Sequence, residues 1–151
     1  MTPAVEAAKR AGVEYRLHEY EGVDVGDGDY AAAVAAVLGR PAGQLFKTLV
    51  VDVGGTLRAY VLPADRRLDL RTVGKGAALA DRATAERATG YVVGGISPLG
   101  QRRRLPTTLD SSALGWKTIL VSAGRRGLQI ELAPADLVRL TGATVGEIGA
   151  C

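Results

Sequence analysis

The chain has 151 residues, nearly half of them apolar, a net charge of +3 and a single cysteine, Cys151. That length fits a single domain over residues 1–151, and one cysteine excludes an intramolecular disulfide framework. No apolar run reaches the ~18 residues that span a membrane, and no secretory signal is visible, so we expect a cytoplasmic protein that does not bind membranes.

The first half of the chain is predicted to contain helices around a hairpin. Thr2 followed by Pro3 is a signal for a helix N-cap, and Gly12 is a signal for a helix end. Gly54 and Gly55 separate two apolar runs, which predicts a β-hairpin. The predicted elements are helix 3–11, strand 15–20, loop 21–29, helix 30–38 and the hairpin strands 45–53 and 56–62.

The second half is predicted to contain shorter elements. Pro134 begins a helix over 134–140, and Gly142 lies just beyond its end. The other predicted elements are helix 69–73, strand 77–80, helix 81–88 and strands 105–109, 117–122 and 128–132. Many short strands interleaved with helices predict an α+β fold with a mixed, mostly antiparallel sheet that is curled into a barrel-like shape and surrounded by helices.

Lys47 is the first anomaly, because it interrupts the apolar run 45–53. An ammonium group alone in an apolar core is costly, so this lysine needs a partner, a polar cavity or solvent. The pattern favours two interpretations about equally: an outward-facing lysine on a half-exposed strand, or a cationic anchor beside a pocket. Such an anchor suits a phosphate or ester oxygen.

The second anomaly is the glycine-rich segment 90–100, which includes Gly94 and Gly95. Glycine lets the backbone approach a ligand closely, and its N–H groups can point at the negative charge that develops in acyl transfer. A tight loop with special dihedral angles explains the same residues equally well. The segment matches neither G-x-G-x-x-G nor a Walker A loop, so nucleotide binding of those kinds is not indicated.

Positive charge is concentrated in the later part of the chain. Residues 1–46 carry a net charge of −3, and residues 47–151 carry +6. A basic region suits a polyanion, although the charge pattern alone more simply indicates a solvated surface. The basic clusters that could hold RNA phosphates are Arg102, Arg103, Arg104, Arg125 and Arg126.

The common hydrolytic centres are not indicated. His18 is the only histidine, so the sequence offers no histidine cluster for zinc. There is no G-x-S-x-G nucleophile elbow, and Cys151 is a terminal residue with little prospect of being a nucleophile. We therefore predict neither a metal nor a cofactor, and a hydrolase of this sequence would take its nucleophile from water or from the substrate.

Successive segments of the chain resemble those of the YbaK/EbsC family of Cys-tRNA(Pro) deacylases. The segments are 1–5, 18–21, 46–49, 89–91, 93–101, 104–107, 122 and 126–128. The block Gly-Gly-Ile-Ser-Pro-Leu-Gly-Gln is highly specific, whereas Lys-Thr alone is weak. The resemblance implies that this chain is a relative of the editing domain of bacterial prolyl-tRNA synthetases. Such a relative would hydrolyse mischarged Cys-tRNA(Pro) in trans and would adopt a barrel-like mixed sheet with surrounding helices.

The resemblance also implies roles for individual residues. Lys47 would anchor the terminal adenosine or its phosphate, and the backbone of Gly94 and Gly95 would polarise the ester carbonyl. The substrate's own thiol would attack that carbonyl, so no nucleophile from the enzyme is needed. Substrate binding is expected at Tyr20, Tyr30, Thr48, Ile96, Ser97, Pro98, Ser122 and Gln129. Phosphates of the tRNA are expected at Arg102, Arg103, Arg104, Arg125 and Arg126.

Gln129 departs from the family pattern, which has Asp at that position, and region 71–88 is shorter than the family's. A neutral amide offers the substrate's ammonium group only a neutral hydrogen bond. Two alternatives therefore remain open: a deacylase for Ala or Ser on tRNA(Pro), or a catalytically weak module that binds aminoacyl-tRNA or a synthetase. The expected partners are tRNA(Pro) and, transiently, prolyl-tRNA synthetase. Few aromatic residues disfavour a generic RNA-binding domain.

Overall fold

The computed structural model describes residues 1–23 and 29–151, so most of the predicted loop 21–29 lies outside the described residues. The helices are α1 (Pro3–Ala11), α2 (Tyr30–Val37), α3 (Leu70–Val73), α4 (Arg82–Thr89) and α5 (Pro134–Thr141), with a 3-10 helix at Ser111–Gly115. The strands are β1 (Tyr15–Glu19), β2 (Phe46–Val53), β3 (Thr56–Pro63), β4 (Arg67–Leu68), β5 (Ala77–Leu79), β6 (Thr107–Asp110), β7 (Ile119–Ser122), β8 (Leu128–Leu132), β9 (Thr144–Gly146) and β10 (Gly149–Ala150).

The described strands form three sheets, with the orders β1-β8-β7, β5-β2-β3-β6-β9 and β10-β4. Parallel pairing occurs between β3 and β6 and between β6 and β9, and the other ladders are antiparallel. The predicted α+β class with a mostly antiparallel, mixed sheet is confirmed. The barrel-like curl is not confirmed: among the described residues, a single parallel bridge between Leu45 and Leu120 joins the two larger sheets.

Helix α1 begins and ends where the sequence predicts. The Thr2 side chain accepts a hydrogen bond from the Val5 amide, and Gly12 ends the helix in the left-handed conformation. The Thr2 hydroxyl also donates to the Ala123 carbonyl. Gly100 packs so closely on the Pro3 backbone that a Cβ atom there would lie 2.5 Å from the Pro3 carbonyl oxygen. The first residues of the chain therefore support two later loops.

Helices cover both faces of the sheet β1-β8-β7. On one face, α1 and α5 bury Val5 and Leu137 against a core that includes Ile130. On the other face, Val34 of α2 packs with Leu120 of β7. Each such apolar side chain contributes roughly 1.5–3 kcal/mol when it is fully buried. Because alternate residues of a strand face opposite ways, the polar Gln129 and Glu131 of β8 lie on the α2 face, away from Ile130.

Helix α4 covers the face of the five-stranded sheet next to the glycine-rich segment. Ala85 and Ala88 of α4 pack on Val50 and Ala59 of β2 and β3. The Asp81 side chain accepts a hydrogen bond from the Thr84 amide at 2.7 Å, which fixes the start of the helix. Small alanine side chains let the helix lie close to the strands. The N-terminal end of α4 thereby faces the same space as the beginning of β2.

The end of the chain contains elements that the sequence did not predict. Strands β9 and β10 and the 3-10 helix lack a clear apolar alternation. Strand β9 pairs with β6, and the Asp110 side chain holds the 3-10 helix and the start of β10. One oxygen of Asp110 accepts from the amides of Ile148 and Gly149 at 2.9 and 3.0 Å, and the other accepts from the Ser112 hydroxyl at 2.6 Å. Strand β6 begins at Thr107, two residues later than predicted. No helix within residues 1–23 and 29–151 is long and apolar enough to cross a membrane.

Candidate active site

A cavity of about 490 Å³ opens between α2, the beginning of β2, the N-terminal end of α4 and the loop that follows α4. Its lining is mostly apolar with a few polar groups, which is typical of small-molecule pockets. The polar and charged side chains around it are Asp29, Tyr30, Lys47, Thr48, Arg82, Ser122 and Gln129. The structure thus brings together residues that lie up to 100 positions apart in the sequence.

Lys47 lies on β2 and is half-buried at the cavity. Its Nζ atom lies 3.4 Å from the carbonyl oxygen of Ala64, to which it donates a hydrogen bond. Burial lowers the pKa of the Lys47 ammonium, and the negative charges of Asp29 and Asp65 oppose that shift. Lys47 therefore presents a partly desolvated cation to the cavity rather than pointing fully into solvent.

A chain of hydrogen bonds connects three polar side chains at one side of the cavity. The hydroxyl groups of Tyr20 and Tyr30 lie 3.2 Å apart, and Gln129 Nε2 donates to the Tyr20 hydroxyl at 3.4 Å. Burial raises the pKa of the Tyr30 hydroxyl, and its hydrogen bond with Tyr20 raises it further. Tyr20 is buried behind Tyr30 and does not border the cavity itself. Tyr20 is therefore connected to the cavity only through its hydrogen bonds with Tyr30 and Gln129.

Two buried polar atoms at the cavity have no hydrogen-bond partner among the described residues: Thr48 Oγ1 and Gln129 Oε1. An unsatisfied buried polar group costs about 1–3 kcal/mol. Because Gln129 Nε2 is engaged with Tyr20, its amide oxygen is left as the acceptor. A ligand that brings an N–H or ammonium group would remove this cost.

The glycine-rich segment forms an irregular loop after α4, and hydrogen bonds to both backbone groups of Val93 hold this loop in place. The Val93 amide donates to the Glu86 carboxylate at 2.7 Å, and Arg126 Nε donates to the Val93 carbonyl at 3.0 Å. Gly94 follows with a φ of 94°, a conformation that strongly favours glycine, and it borders the cavity. Both peptide groups of Val93 are thus fixed immediately before Gly94.

Gly94 and Gly95 differ in what they can offer a ligand. The Gly95 amide donates to the Val92 carbonyl at 2.9 Å, and a Cβ atom at Gly95 would lie 2.7 Å from the Arg125 Cα atom. Gly95 is therefore needed for close packing against the turn at Arg125, and its N–H group is occupied. The Gly94 N–H group has no acceptor among the described residues, so it is the available donor of the pair.

The other predicted substrate-binding residues do not all reach the cavity. Ile96 of the loop and Ser122 at the end of β7 border it, as the resemblance implied. Ser97 is fully buried, and its side-chain oxygen accepts a hydrogen bond from the Leu99 amide at 3.2 Å. Pro98 borders a separate cleft of about 190 Å³. The structure therefore places Ser97 and Pro98 in the framework of the loop and not at the cavity surface.

The two basic clusters also lie in different places. The amides of Arg102 and Arg103 bond to the last carbonyls of α4, and Arg104 Nε donates to the Thr141 carbonyl of α5 at 3.2 Å. None of these three borders the cavity. The exposed residues Arg125 and Arg126 lie in the turn that packs against Gly94 and Gly95. Only the second cluster is adjacent to the candidate active site.

Three charged residues of this region were not predicted from the sequence to be part of the site. Asp29 and Arg82 border the cavity, and Glu86 holds the Val93 amide. Arg82 and Glu86 lie on a helix whose charges are typical of a solvated face, and Asp29 ends a loop rich in Asp and Gly. No local signal distinguishes them, because their importance depends on the loop that returns to them.

A family model of the aminoacyl-tRNA editing domain matches residues 26–140, which contain the whole cavity. The chain belongs to this family. It is an aminoacyl-tRNA deacylase of the YbaK type, which acts in trans on aminoacyl-tRNA. The family resemblance identified in the sequence is thereby confirmed.

The relatives of this deacylase agree along nearly the whole chain. EbsC of Enterococcus faecalis, named as a candidate Cys-tRNA(Pro)/Cys-tRNA(Cys) deacylase, is 37% identical over 97% of this chain and 92% of its own length. A crystal structure of a hypothetical protein is 30% identical, with a TM-score of 0.85 over 99% of this chain and 100% of the other. A candidate trans-editing enzyme for prolyl tRNA synthetase shares the fold, with a TM-score of 0.81 at 23% identity over 100% of this chain and 99% of its own.

Proposed function

We propose that this deacylase, acting as a single domain, hydrolyses Cys-tRNA(Pro) with help from the substrate's own thiol. The similarity to EbsC supports cysteine as the amino acid and tRNA(Pro) as its carrier. The observation that carries the thiol mechanism is the lack of an activated enzyme nucleophile at the part of the cavity that the structure describes.

The hydroxyl groups at the cavity are not arranged as nucleophiles. A serine or threonine nucleophile needs a general base within about 2.6–3.2 Å. Thr48 Oγ1 has no partner among the described residues, and Ser122 Oγ accepts only the Gly124 amide, at 3.4 Å. His18 is held by Glu131 at 2.7 Å and does not border the cavity. The attacking group is therefore assigned to the substrate.

The proposed reaction is an intramolecular acyl transfer. The cysteine sulfur attacks the ester carbonyl carbon, the C–S bond forms, and the carbonyl oxygen gains negative charge. The bond to the ribose oxygen then breaks, and that oxygen takes the proton that the thiol released. The products are a cyclic thiolactone, which water can open, and uncharged tRNA. A well-oriented intramolecular attack is favoured by about 7–11 kcal/mol over attack by a separate molecule. The substrate carries its own nucleophile, and the cavity contributes by holding the thiol and the ester in the reactive conformation.

The cavity residues have distinct proposed roles in this reaction. The Gly94 N–H group donates to the developing oxyanion, which is the kind of preorganised donor that stabilises acyl transfer. The Lys47 ammonium, partly desolvated, binds the terminal adenosine or its phosphate. Gln129 Oε1 and Thr48 Oγ1 receive the substrate's ammonium group, and Tyr30 closes the side of the cavity. No cofactor has a part in this scheme.

A second candidate is a deacylase for Ala or Ser on tRNA(Pro), and Gln129 and Asp29 favour it. Gln129 carries no charge to select an ammonium group strongly. A substrate without a thiol needs an activated water, and Asp29 is a carboxylate at the cavity that could act as its base. In this case Asp29→Asn would abolish activity, whereas thiol-assisted cleavage would continue in that variant.

The discriminating experiment compares four substrates: tRNA(Pro) charged with Cys, with Ala, with Ser and with S-methylcysteine. Thiol-assisted cleavage predicts that only the first is deacylated rapidly and that S-methylation lowers the rate at least 100-fold. An undiminished rate with S-methylcysteine would overturn the thiol mechanism and favour activated water. Faster release of Ala or Ser would favour the second candidate.

Selection of tRNA(Pro) is proposed to come mainly from a transient complex with prolyl-tRNA synthetase. Basic side chains near the cavity contact phosphates, which carry no sequence information. Adding the synthetase is therefore expected to increase the preference for Cys-tRNA(Pro) over Cys-tRNA(Cys). An unchanged preference would mean that the deacylase works without that partner.

A further inference from the structure

Two arginines beside the glycine loop are connected to Val93, Arg82 indirectly through Glu86 and Arg126 directly. Arg82 Nε lies 3.4 Å from Glu86 Oε2, and the same oxygen accepts the Val93 amide at 2.7 Å. Arg126 Nε donates to the Val93 carbonyl at 3.0 Å. Arg82 is therefore linked through Glu86 to the Val93 amide, and Arg126 is bonded to the carbonyl of the same residue, immediately before the proposed donor Gly94.

Both arginines have hydrogen-bond donors that remain available. Arg82 bonds to Glu86 through its Nε atom and Arg126 bonds to Val93 through its own, and neither uses its terminal nitrogens in a hydrogen bond to any described residue. The Arg82 side chain is 63% exposed, and Arg126 is also exposed. A guanidinium group fixed in this way presents a planar fork of N–H groups, which matches a phosphate and costs little additional ordering.

The position of the two arginines fits the form of the substrate. The ester to be cleaved lies at the 3′ end of the tRNA, which is single-stranded and has a phosphate on each nucleotide. With the ester at Gly94 inside the cavity, the preceding phosphates must leave past the rim. Arg82 borders the cavity there, and Arg126 lies against Gly94.

Arg102, Arg103 and Arg104, which we call the triple-arginine cluster, are less suitable for binding these phosphates. Arg102 and Arg103 bond to the carbonyl end of α4, whereas Arg82 is at its beginning. Eight residues of α-helix separate these ends by about 12 Å. Arg104 is turned towards α5 through its bond to Thr141. The longest run of positive charge in the sequence is thus not the one closest to the cavity.

We propose that Arg82 and Arg126 bind the backbone phosphates of the tRNA 3′ end at the rim of the cavity, with Glu86 positioning Arg82 and the loop together. This inference rests on the aminoacyl-tRNA substrate and not on cysteine as the amino acid. It assigns the triple-arginine cluster to, at most, a weaker contact with more distant parts of the tRNA.

The test measures deacylation of Cys-tRNA(Pro) by Arg82→Ala, Arg126→Ala and Arg103→Ala, with Arg58→Ala as the control. Arg58 is an exposed arginine of β3 that lies outside the cavity lining. Arg82→Ala is expected to raise KM about tenfold with little change in kcat. It should also reduce the slope of log K against log salt by about 0.7, the value for one contact with a single strand. Arg82→Lys keeps the charge without the fork and should recover part of the loss.

A second readout keeps this inference separate from the proposed substrate. The Kd for uncharged tRNA should rise in Arg82→Ala by a similar factor, even if the wild-type protein fails to deacylate Cys-tRNA(Pro). The loss in the same variant should be much smaller for hydrolysis of cysteine ethyl ester, which has no phosphate for Arg82 to bind. A larger KM and Kd effect for Arg103→Ala than for Arg82→Ala would overturn the proposal. So would an equal loss on the phosphate-free ester, because it would show that Arg82 merely supports the loop.

Discussion

Glu131 and Gln129 lie two residues apart on the same face of β8, and both are buried, yet their surroundings differ completely. Glu131 accepts from both terminal nitrogens of Arg40 at 3.0 Å, from Thr118 at 2.6 Å and from His18 at 2.7 Å. Gln129 has one long hydrogen bond and an amide oxygen without a partner in the described part of the chain. We refer to Glu131 with its three partners as the Glu131 cluster.

The difference separates a structural polar group from a ligand-binding one. Burial is expensive for either group unless its hydrogen bonds are made. The Glu131 cluster makes all of them within the protein, so it can connect β1 and β8 with the segment after α2 and the residue before β7 without a ligand. Thr48 Oγ1 and Gln129 Oε1 at the cavity lack hydrogen-bond partners in the described part of the protein, so a bound substrate can supply those hydrogen bonds. The following substitutions test this division, from the largest expected effect to the smallest.

Removal of the Glu131 carboxylate should mainly affect stability. Glu131→Ala leaves the Arg40 cation without its partner, and breaking a buried pair costs about 3–5 kcal/mol. For a chain of this length that corresponds to a decrease in Tm on the order of 10 °C. Thermal unfolding measures it, with the exposed Glu147→Ala as the control. Loss of deacylation at 20 °C with an unchanged Tm would place Glu131 in the active site instead.

Removal of the Lys47 cation should mainly affect the reaction. Lys47→Met keeps the apolar stem and removes the charge, so the fold should persist. We expect kcat/KM for Cys-tRNA(Pro) to fall by about 10–100-fold, mainly through KM, because a hydrogen bond to a charged group contributes about 1.5–3 kcal/mol. Lys117→Met, at an exposed position, is the matched control. Near-normal activity of Lys47→Met would refute the proposed anchoring role.

Replacement of Gln129 should separate stability from activity. Gln129→Leu removes an unsatisfied oxygen, so we expect the free energy of unfolding to stay constant or rise by up to about 1 kcal/mol. The KM for Cys-tRNA(Pro) should nevertheless rise about tenfold, because the substrate's ammonium group loses its acceptor. Gln44→Leu is a useful contrast, since Gln44 donates to the Thr118 carbonyl at 3.0 Å and its loss should lower stability without changing KM. A strongly destabilised Gln129→Leu protein would mean that Gln129 is structural.

The pH dependence of stability should show the smallest effect. Burial opposes ionisation of Glu131, but the hydrogen bonds from Arg40, Thr118 and His18 outweigh it and lower the pKa from 4.5 to about 2. A lowered folded-state pKa gives stability that is complete above the unfolded value and is lost as the pH falls towards 2. Urea unfolding should therefore show a small decrease between pH 5 and pH 4, which Glu131→Gln should lack. An equal decrease in the stability of Glu131→Gln would mean that other carboxylates cause the pH dependence.

Much of the fold followed from local signals in the sequence. Helix α1 needed only Thr2, Pro3 and Gly12, and the β2–β3 hairpin needed Gly54 and Gly55 between apolar runs. The late strands β9 and β10 could not be found in this way. Strand β9 depends on parallel pairing with β6, and the start of β10 is held by the Asp110 carboxylate through amides that are 38 and 39 residues away. No local pattern indicates such distant partners.

The sequence predicted several of the residues that belong to the candidate site but not how each of them is placed in it. The sequence and its family resemblance indicated Lys47, Thr48, Gly94 and Ser122, and the structure brings them to one cavity. The sequence could not separate Gly94 from Gly95, because the difference depends on the Arg125 backbone 30 positions later. It could not find Arg82 for a similar reason: only the folded structure shows that the beginning of α4 borders the cavity.

The contacts of Thr2 and Pro3 have a practical consequence for how the protein is produced. The Thr2 hydroxyl holds Ala123 beside the turn at Arg125 and Arg126, and the Pro3 backbone supports Gly100. A cloning scheme that replaces Thr2 or Pro3 would therefore loosen the loops that shape the cavity, whereas Met1 before them is exposed. Cys151 is also exposed and lies outside the cavity lining, so it is a second attachment point. The same thiol allows a dye or surface linker to be coupled by maleimide chemistry for single-molecule work with labelled tRNA.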